Sequence, residues 1–413
     1  MGIADLIDLC TLSCWACDFS EVIASEVAGD AVIPTAAIDG NCWLYECACG
    51  IASGLDVSSN YSSFKEFAHR YQRRLQYVKK CGWQIILVFD GRRLPVKSIT
   101  HQKRAAARKK AASKTTAGND LSTFKPSHEL IHRLVIFLRK DGHDIIIAPH
   151  EGDPQCAFLS NTEKAQIVIT RDSDLIAHGV KCVFFWNSVY HPGFIKGFGG
   201  KLYWKASLWR CAKGLWKPII KLGWEAFLAV CVMVGTDYNR GIKQIGIKRA
   251  VAVVAECKTL ADSVKYLKDP GRTKYRNALV PEGFLEDARK AIIMFRHPLV
   301  FDPHNNTVCH AVDPPAPLIK IGAPNWMGRV PISREEALRI ARSEINPDTL
   351  KPYPAITTND RQPQARRRTS RRPCPNRIKP VPVKRKRVMN EDQWKHLLLS
   401  HGIDFDIPQV LVS

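Results

Sequence analysis

Acidic residues are scarce in this 413-residue chain, which has 39 Asp and Glu against 61 Lys and Arg and a formal net charge of +22. Two stretches have no acid at all: residues 361–390 hold twelve Lys or Arg, and residues 91–118 hold nine. Setting the first stretch aside leaves +10 for the rest of the chain (22 less 12). Because a cationic surface releases condensed counterions when it meets a polyanion, this charge favours a nucleic-acid partner.

The chain also lacks the patterns of zinc-binding and membrane proteins. Cys14 and Cys17 form a CxxC motif among 14 cysteines, but no second pair follows at a zinc-ribbon or zinc-finger distance. The apolar run at residues 227–234 is too short to span a bilayer. The early acids Asp5 and Asp8, without a basic region before them, do not fit a signal peptide. We expect a soluble intracellular monomer with reduced, mostly buried cysteines and no membrane partner.

Short apolar runs alternate with helix-like stretches through the first half of the chain. The runs cover residues 31–38, 85–89, 145–148, 167–170 and 183–186, and the helical stretches cover residues 43–52, 62–80, 98–113 and 128–139. This alternation predicts an α/β fold with a mostly parallel central sheet flanked by helices on both faces. Residues 217–300 indicate a mainly helical region with a glycine-containing turn at residues 241–246.

Acidic residues follow four of these apolar runs. They are Asp39, Asp90, the pair Glu151 and Asp153, and the pair Asp172 and Asp174. Open α/β sheets bind ligands at the carboxyl ends of their strands, and carboxylates are the ligands that Mg²⁺ prefers. Each acid alone could be a turn residue or a helix cap, but the recurrence at four strand ends favours a metal site. Phosphodiester hydrolysis commonly uses two such ions about 3.5–4 Å apart.

Six segments carry a resemblance to a known family. They are MGI at residues 1–3, AAIDGNCWLYECA at 36–48, IILVFDGRRLPVK at 85–97, IIIAPHEGDPQCAFL at 145–159, VITRDSDLIAHG at 168–179 and VGTDYNRGIKQIGIKRA at 234–250. In this order, over roughly residues 1–310, they resemble the XPG/flap endonuclease superfamily of PIN-like nucleases. The DGxxLPxK and DSDLxAxG forms are more similar to its exonuclease 1 branch.

The resemblance implies a site for two Mg²⁺ ions, which Mn²⁺ could replace. One ion would be held mainly by Asp39, Asp90, Glu151 and Asp153, and the other by Asp172, Asp174 and Asp237. No family carboxylate is missing, which argues against a relative that binds DNA without cutting it.

Three basic residues, Lys97, Arg104 and Arg108, have the spacing of one helical face directly after Asp90. A solvated basic face is the alternative interpretation. In the resembling family, a Lys and an Arg at the positions of Lys97 and Arg104 contact the scissile phosphate, where cations stabilise developing negative charge. We expect a catalytic role for these two and a DNA contact for Arg108. The linker from this helix to Glu151 is short for the branch and predicts a reduced arch over the 5′ strand.

Further DNA contacts are implied by the same resemblance. Gly2 matches an N-terminal glycine that packs beside the DNA, and Tyr45 matches a ring that stacks on the 5′-terminal base; a core aromatic is the alternative for Tyr45. Residues 241–250 match a helix–two-turn–helix that presents backbone groups to duplex phosphates. Its usual G-I-G appears as Gln244-Ile245-Gly246, so monovalent cation binding is not expected there. The phosphate contacts expected in this segment are Lys243, Gly246, Lys248 and Arg249.

The sequence divides into five regions on this interpretation. They are an N-terminal nuclease region at 1–120 that includes the basic helix, an internal nuclease region at 121–216, the helix–two-turn–helix region at 217–310, a wrap-back segment at 311–350 and a basic, disordered tail at 351–413. Basic clusters at residues 366–372 and 384–387 resemble a bipartite nuclear localisation signal, although non-specific DNA affinity explains the same residues.

Together these features predict a nuclear, Mg²⁺-dependent 5′→3′ exonuclease on double-stranded DNA with 5′ flap endonuclease activity, acting in DNA repair or recombination. Its partner would be DNA with 5′ ends, nicks or flaps. Three alternatives stay open: a flap or junction endonuclease, a DNA-binding scaffold without catalysis, and a PIN-type ribonuclease.

Overall fold

The central sheet has seven strands. A computed structural model describes residues 2–3, 5–9, 14–22, 34–48, 51, 61–112, 124–186, 199–210, 214–271, 274–314, 325–328 and 333–354. The strands are β1 (Cys14–Asp18), β2 (Thr35–Asp39), β3 (Gln84–Phe89), β4 (Asp144–Ile147), β5 (Ile167–Thr170), β6 (Cys182–Trp186) and β7 (Gly199–Trp204). Their order is β1-β7-β6-β5-β2-β3-β4, in which β6, β5, β2, β3 and β4 are mutually parallel. The predicted mostly parallel sheet is confirmed.

Helices cover both faces of this sheet, because successive strand residues point to opposite sides. Ile38 of β2 packs into a core with α2 (Gly40–Ala48), α3 (Tyr61–Lys80) and α5 (His128–Arg139), whereas its neighbour Ala37 packs into the other core. That second core contains α6 (Gly152–Asn161) and the helical region that follows residue 216. The remaining helices of this part of the chain are α1 (Leu6–Leu9), α4 (Ser98–Ala112), α7 (Asp174–Ala177) and α8 (Lys205–Arg210).

The region after residue 216 is helical, as expected. Its helices are α9 (Lys217–Leu222), α10 (Trp224–Val234), α11 (Ile247–Cys257), α12 (Leu260–Lys268) and α13 (Phe284–Arg296). A two-stranded antiparallel ribbon follows, formed by β8 (Leu299–Asp302) and β9 (Thr307–His310). No helix among the described residues combines the length and apolar character needed to cross a bilayer.

The last described segment, residues 333–354, lies against α5. It contains α14 (Arg334–Ala341), whose first turn is closed by a reciprocal capping box between Ser333 and Glu336. The His132 and Tyr353 rings are stacked with centroids 3.9 Å apart, and the Arg139 guanidinium donates to the Arg342 carbonyl oxygen. The basic clusters predicted in residues 355–413 lie outside the described residues, as does the predicted disorder of that tail.

Several elements were not expected from the sequence. Strands β1 and β7 form the antiparallel side of the sheet, pairing Trp15 with Leu202. They lack the apolar runs of the parallel strands. Helix α6 begins with Gly-Asp-Pro. Proline is tolerated in the first turn of a helix because the first helical N–H groups have no intrahelical acceptor. The ribbon at residues 299–310 lies where apolar periodicity fades in the sequence.

The topology determines where a ligand can bind. From β2 the chain runs outward through β3 and β4, then returns to the other side of β2 to form β5 and β6. The strand order therefore reverses between β2 and β5. In open α/β sheets this reversal leaves a crevice at the carboxyl ends of the strands, where ligands bind.

Candidate metal centre and nucleic-acid interface

The seven predicted acids lie around this crevice. Asp39 is the last residue of β2 and Asp90 directly follows β3. Glu151 and Asp153 occupy the cap and first turn of α6, which follows β4. Asp172 and Asp174 follow β5, with Asp174 opening α7, and Asp237 comes from the loop after α10. The parallel strands deliver four of these sites to one edge, and the helical region supplies the last from across the crevice.

Hydrogen bonds from the chain itself hold several of these carboxylates. Thr170 Oγ1 donates to Asp39 Oδ2 at 3.0 Å and accepts from the Asp172 amide at 3.0 Å. The Gly152 amide donates to Asp90 Oδ1 at 2.7 Å. Thr170 therefore joins two of the acidic sites and was not singled out by the sequence. The sequence feature that could have identified Thr170 is a hydroxyl residue at the end of an otherwise apolar strand, two residues before an acid.

Burial raises the pKa of five of these acids. Together with the charge of neighbouring carboxylates, it raises the pKa of Asp39 to about 6 and that of Asp90 to about 7. Burial likewise raises the pKa values of Asp153 and Asp174 well above the usual range, and that of Asp172 above its ordinary value. Their mutual repulsion shows that these carboxylates share one electrostatic environment. Positive charge added at this site would favour their ionised forms.

Two of the buried oxygens bear directly on whether a cation fits. Asp153 Oδ1 and Asp174 Oδ1 have no hydrogen-bond partner among the described residues. Leaving a buried carboxylate oxygen unpaired is costly, and hard oxygen donors are the ligands of Mg²⁺. Among the described residues, no three Asp, Glu, His or Cys side chains lie close enough together to coordinate one metal ion. The donor chemistry therefore fits a divalent cation, although the side chains are not gathered around one point.

Two of the predicted cations lie among the acids. Lys97 Nζ is 2.6 Å from Glu151 Oε2 and 3.5 Å from Asp237 Oδ2, and the Arg104 guanidinium is 2.7 Å from the same Asp237 oxygen. Burial alone would raise the pKa of Asp237, but the charges of Lys97 and Arg104 outweigh it and lower that pKa. Burial would lower the pKa of Lys97, yet Glu151 and the other acidic groups nearby raise it well above its usual value.

The helical placement predicted for Lys97 was wrong. Lys97 is the last residue of a 3-10 turn, Pro95–Lys97, that precedes α4. Pro95 begins this turn because proline has a fixed φ and no N–H donor. Lys97 and Arg104 nevertheless reach the same acid. The side chain of Arg108 lies outside the described residues.

Gly2 touches the acids directly. A Cβ atom at this position would lie 2.1 Å from Asp172 Oδ1 and 2.4 Å from Ser173 Oγ, and its φ of +82° also favours glycine. Tyr45 lies on α2 with its side chain 39% exposed, in edge-to-face contact with Phe124. The structure thus places Gly2 against the acids and leaves the Tyr45 ring accessible rather than in the core.

The loop between α10 and α11 is tightly built. A Cβ atom on Gly241 would lie 1.9 Å from the Val234 carbonyl oxygen. Gln244 has a φ of +67°, so this non-glycine residue adopts the left-handed conformation. Its carbonyl oxygen accepts a 2.7 Å hydrogen bond from Arg249.

The other predicted phosphate contacts of this region lie on the protein surface. Lys243 pairs with Leu279 through two backbone hydrogen bonds and, like Lys248, is exposed. Gly246 caps α11 with open space beside it. A cavity of about 620 Å³ adjoins the loop, and Lys103, Arg240 and Lys243 contribute its positive charge.

Comparisons with known proteins agree with this architecture. The XPG N-terminal domain family matches residues 1–111, and the XPG I-region family matches residues 142–237. Exonuclease 1 of Arabidopsis thaliana is 28% identical over 292 residues, covering 67% of this chain and 37% of that protein. Exonuclease 1 of Danio rerio is 28% identical over 329 residues, covering 76% of this chain and 38% of that protein. Exodeoxyribonuclease 1 of Schizosaccharomyces pombe is 26% identical over 326 residues, covering 76% of this chain and 53% of that protein.

A solved structure shares the fold. The catalytic core of Rad2 in complex with DNA substrate is 18% identical, with a TM-score of 0.50, and the match covers 71% of this chain and 85% of that one. The chain spans less than two-fifths of the length of the Arabidopsis and Danio relatives.

Proposed function

Because the chain belongs to the XPG/flap endonuclease superfamily, in its exonuclease 1 branch, we propose that it is a 5′→3′ exonuclease on double-stranded DNA with 5′ flap endonuclease activity. The observation that carries this proposal is the convergence of buried carboxylates at the strand-order reversal, five of them with raised pKa values. An acidic crevice in a chain of net charge +22 is a place for cations.

Membership of this superfamily of metal-dependent nucleases implies a divalent cation. We assign two Mg²⁺ ions, replaceable by Mn²⁺, with Asp39, Asp90, Glu151 and Asp153 mainly at one and Asp172, Asp174 and Asp237 at the other. When bound, such ions activate the attacking water and stabilise the leaving oxygen. The unpartnered oxygens of Asp153 and Asp174 support their assignment as ligands.

Lys97 and Arg104 would act on the phosphate itself. Both pair with Asp237, so the donors of buried Lys97 and of the more exposed Arg104 are directed at the acidic crevice. A scissile phosphate entering the crevice would meet these two cations beside the acids. There they would neutralise charge that builds on the non-bridging oxygens.

The duplex would be held away from the chemistry by a separate set of groups. The groups from the loop and the start of α11 are Lys243, Gly246, Lys248 and Arg249. Gly2 lies beside the acids, Tyr45 is exposed on α2, and Arg108 on α4 is a further contact. The exposed ring of Tyr45 supports base stacking. Arg249 already satisfies the Gln244 carbonyl oxygen, which supports a turn that works without a bound monovalent cation.

The biological setting proposed is repair or recombination of DNA in the nucleus by a monomer that acts at 5′ ends, nicks and flaps. The excess of basic residues supports a DNA partner.

The deciding experiment is a cleavage assay on 5′-flap, nicked, blunt and four-way junction DNA, with and without Mg²⁺. We expect Mg²⁺-dependent release of short products with 5′ phosphates from 5′ ends, and cutting at the base of the flap. Cleavage of junctions alone would favour the junction endonuclease, and equal cutting of matched RNA flaps would favour the ribonuclease. DNA binding without cleavage under every condition would favour the non-catalytic DNA-binding scaffold.

A further inference from the structure

A carboxylate beside the site is shared by two arginines. Glu46, on α2, pairs through one oxygen with Arg74 and through the other with Arg171, whose NH1 is 2.6 Å away. Arg74 is buried, and its guanidinium carbon lies 5.9 Å from the ring centroid of Trp43 and 5.7 Å from that of Trp186. The two rings and Glu46 therefore fix Arg74 in place.

This arrangement leaves one positive charge in excess. Arg74 alone neutralises Glu46, so the group of one carboxylate and two guanidinium ions has a net charge of +1. The excess charge belongs to the outer arginine, since the side chain of Arg171 is 44% exposed whereas that of Arg74 is 6% exposed. A guanidinium carries five N–H donors, and the contact with Glu46 leaves several of them available to a further acceptor.

Arg171 is connected both to the acids and to the helix that carries Tyr45. It lies between Thr170 and Asp172 in the chain, at the carboxyl end of β5, and its partner Glu46 directly follows the exposed Tyr45 on α2. Its ion pair therefore ties Arg171, which is next to Asp172 in the chain, to the helix that carries the exposed Tyr45 ring.

We propose that Arg171 binds the 5′-terminal phosphate of the strand that is cut, while the terminal base rests on Tyr45. Guanidinium and phosphate groups form paired, charge-assisted hydrogen bonds, and Glu46 holds the guanidinium in place before the DNA arrives. This inference rests on the proposed function, because it takes a 5′ end as the substrate. It adds a terminal-phosphate site and makes the phosphorylation state of the end a determinant of recognition.

The test compares duplexes that differ only in a 5′ phosphate or a 5′ hydroxyl. Binding is measured by fluorescence anisotropy in EDTA, and cleavage as kcat/KM in Mg²⁺, for the full-length chain and Arg171→Gln. We expect the wild type to favour the phosphate by about tenfold, equivalent to about 1.4 kcal/mol, and Arg171→Gln to bring that ratio close to one. Arg171→Lys, which keeps the charge, should retain part of the preference.

A matched control removes a cation elsewhere. Lys181 is exposed and paired with Glu163 at 2.9 Å, at the amino end of β6 and so at the opposite edge of the sheet. Lys181→Gln should leave the phosphate-to-hydroxyl ratio unchanged. If Arg171 served only to support Glu46, its loss would lower the melting temperature and weaken both ends equally, and that result would overturn the proposal.

The binding measurement separates this inference from the proposed function. A phosphate preference in EDTA that disappears in Arg171→Gln supports the terminal-phosphate site, even if no cleavage follows. Efficient cleavage by the wild type with equal use of both ends refutes the site while leaving the nuclease intact. A preference that survives unchanged in Arg171→Gln also refutes it.

Discussion

Cation binding at the acidic crevice should depend steeply on pH. A metal ligand must be ionised, and burial raises the pKa of Asp39 to about 6 and that of Asp90 to about 7. Roughly half of the first carboxyl and a tenth of the second are then ionised at pH 6, against nearly all of both at pH 8. A cation that needs both should bind ~20-fold more weakly at pH 6, a difference of about 1.8 kcal/mol.

Folding of the metal-free protein should show the opposite dependence on pH. Since these carboxyl pKa values are higher in the folded than in the unfolded chain, the folded state binds more protons between about pH 4 and pH 7. Its stability should therefore fall as the pH rises through that window. Mg²⁺ should restore stability at pH 8 and have little effect at pH 5.

The assay is a titration of the metal-free protein with Mn²⁺, following the signal of the free ion, at pH 6, 7 and 8. Melting temperatures with and without Mg²⁺ provide the second readout. The control variant is Glu163→Gln, because Glu163 is an exposed acid that pairs with Lys181 and its loss should leave the pH dependence intact. Dissociation constants that differ by less than about twofold between pH 6 and pH 8 would show that Asp39 and Asp90 do not both bind the cation.

Three further predictions follow from the site and its supports. Asp172→Ala should bind DNA but lose at least about a hundredfold in Mg²⁺-dependent cleavage, as measured by single-turnover rates; wild-type-like cutting by this variant would remove the proposed metal site. Arg104→Ala should lower kcat by roughly a hundredfold while changing the DNA dissociation constant only slightly, and a change confined to KM would contradict a role at the scissile phosphate. Gly241→Ala should destabilise the fold by about 1–3 kcal/mol in urea denaturation, because its Cβ would meet the Val234 carbonyl oxygen at 1.9 Å. Gly246→Ala, where a Cβ has open space, is its control and should stay within about 0.5 kcal/mol of wild type.

The parallel part of the sheet could be predicted from the sequence because each of its strands is an apolar run bounded by turn residues. Strand β5 lies within residues 167–170, as expected, and its side chains are buried on both faces. The antiparallel edge could not be predicted in the same way. Strand β7 begins with two glycines and is only partly buried, so its place in the sheet depends on pairing with β6 and β1.

The acids of the proposed site could be predicted from their positions, but their pKa values could not. Asp90 and Asp237 are both acids in turns, yet the pKa of Asp90 is raised by burial and that of Asp237 is lowered by Lys97 and Arg104. Those two cations come from a different part of the chain, and no local pattern gives their distance from Asp237. The same holds for Arg171, which the sequence placed next to an acid but could not pair with Glu46.

From the sequence alone we could predict the α/β architecture and the family, both confirmed, and propose the carboxylates of the metal site, because apolar period, residue type and motif order are local properties of the chain. The charge pairs depend on tertiary contacts, as do the partners of Lys97 and Arg104 and the pairing of Arg171 with Glu46. Such facts depend on contacts between segments as far apart as residues 46 and 171, and electrostatic energy depends on distance and burial rather than on order along the chain.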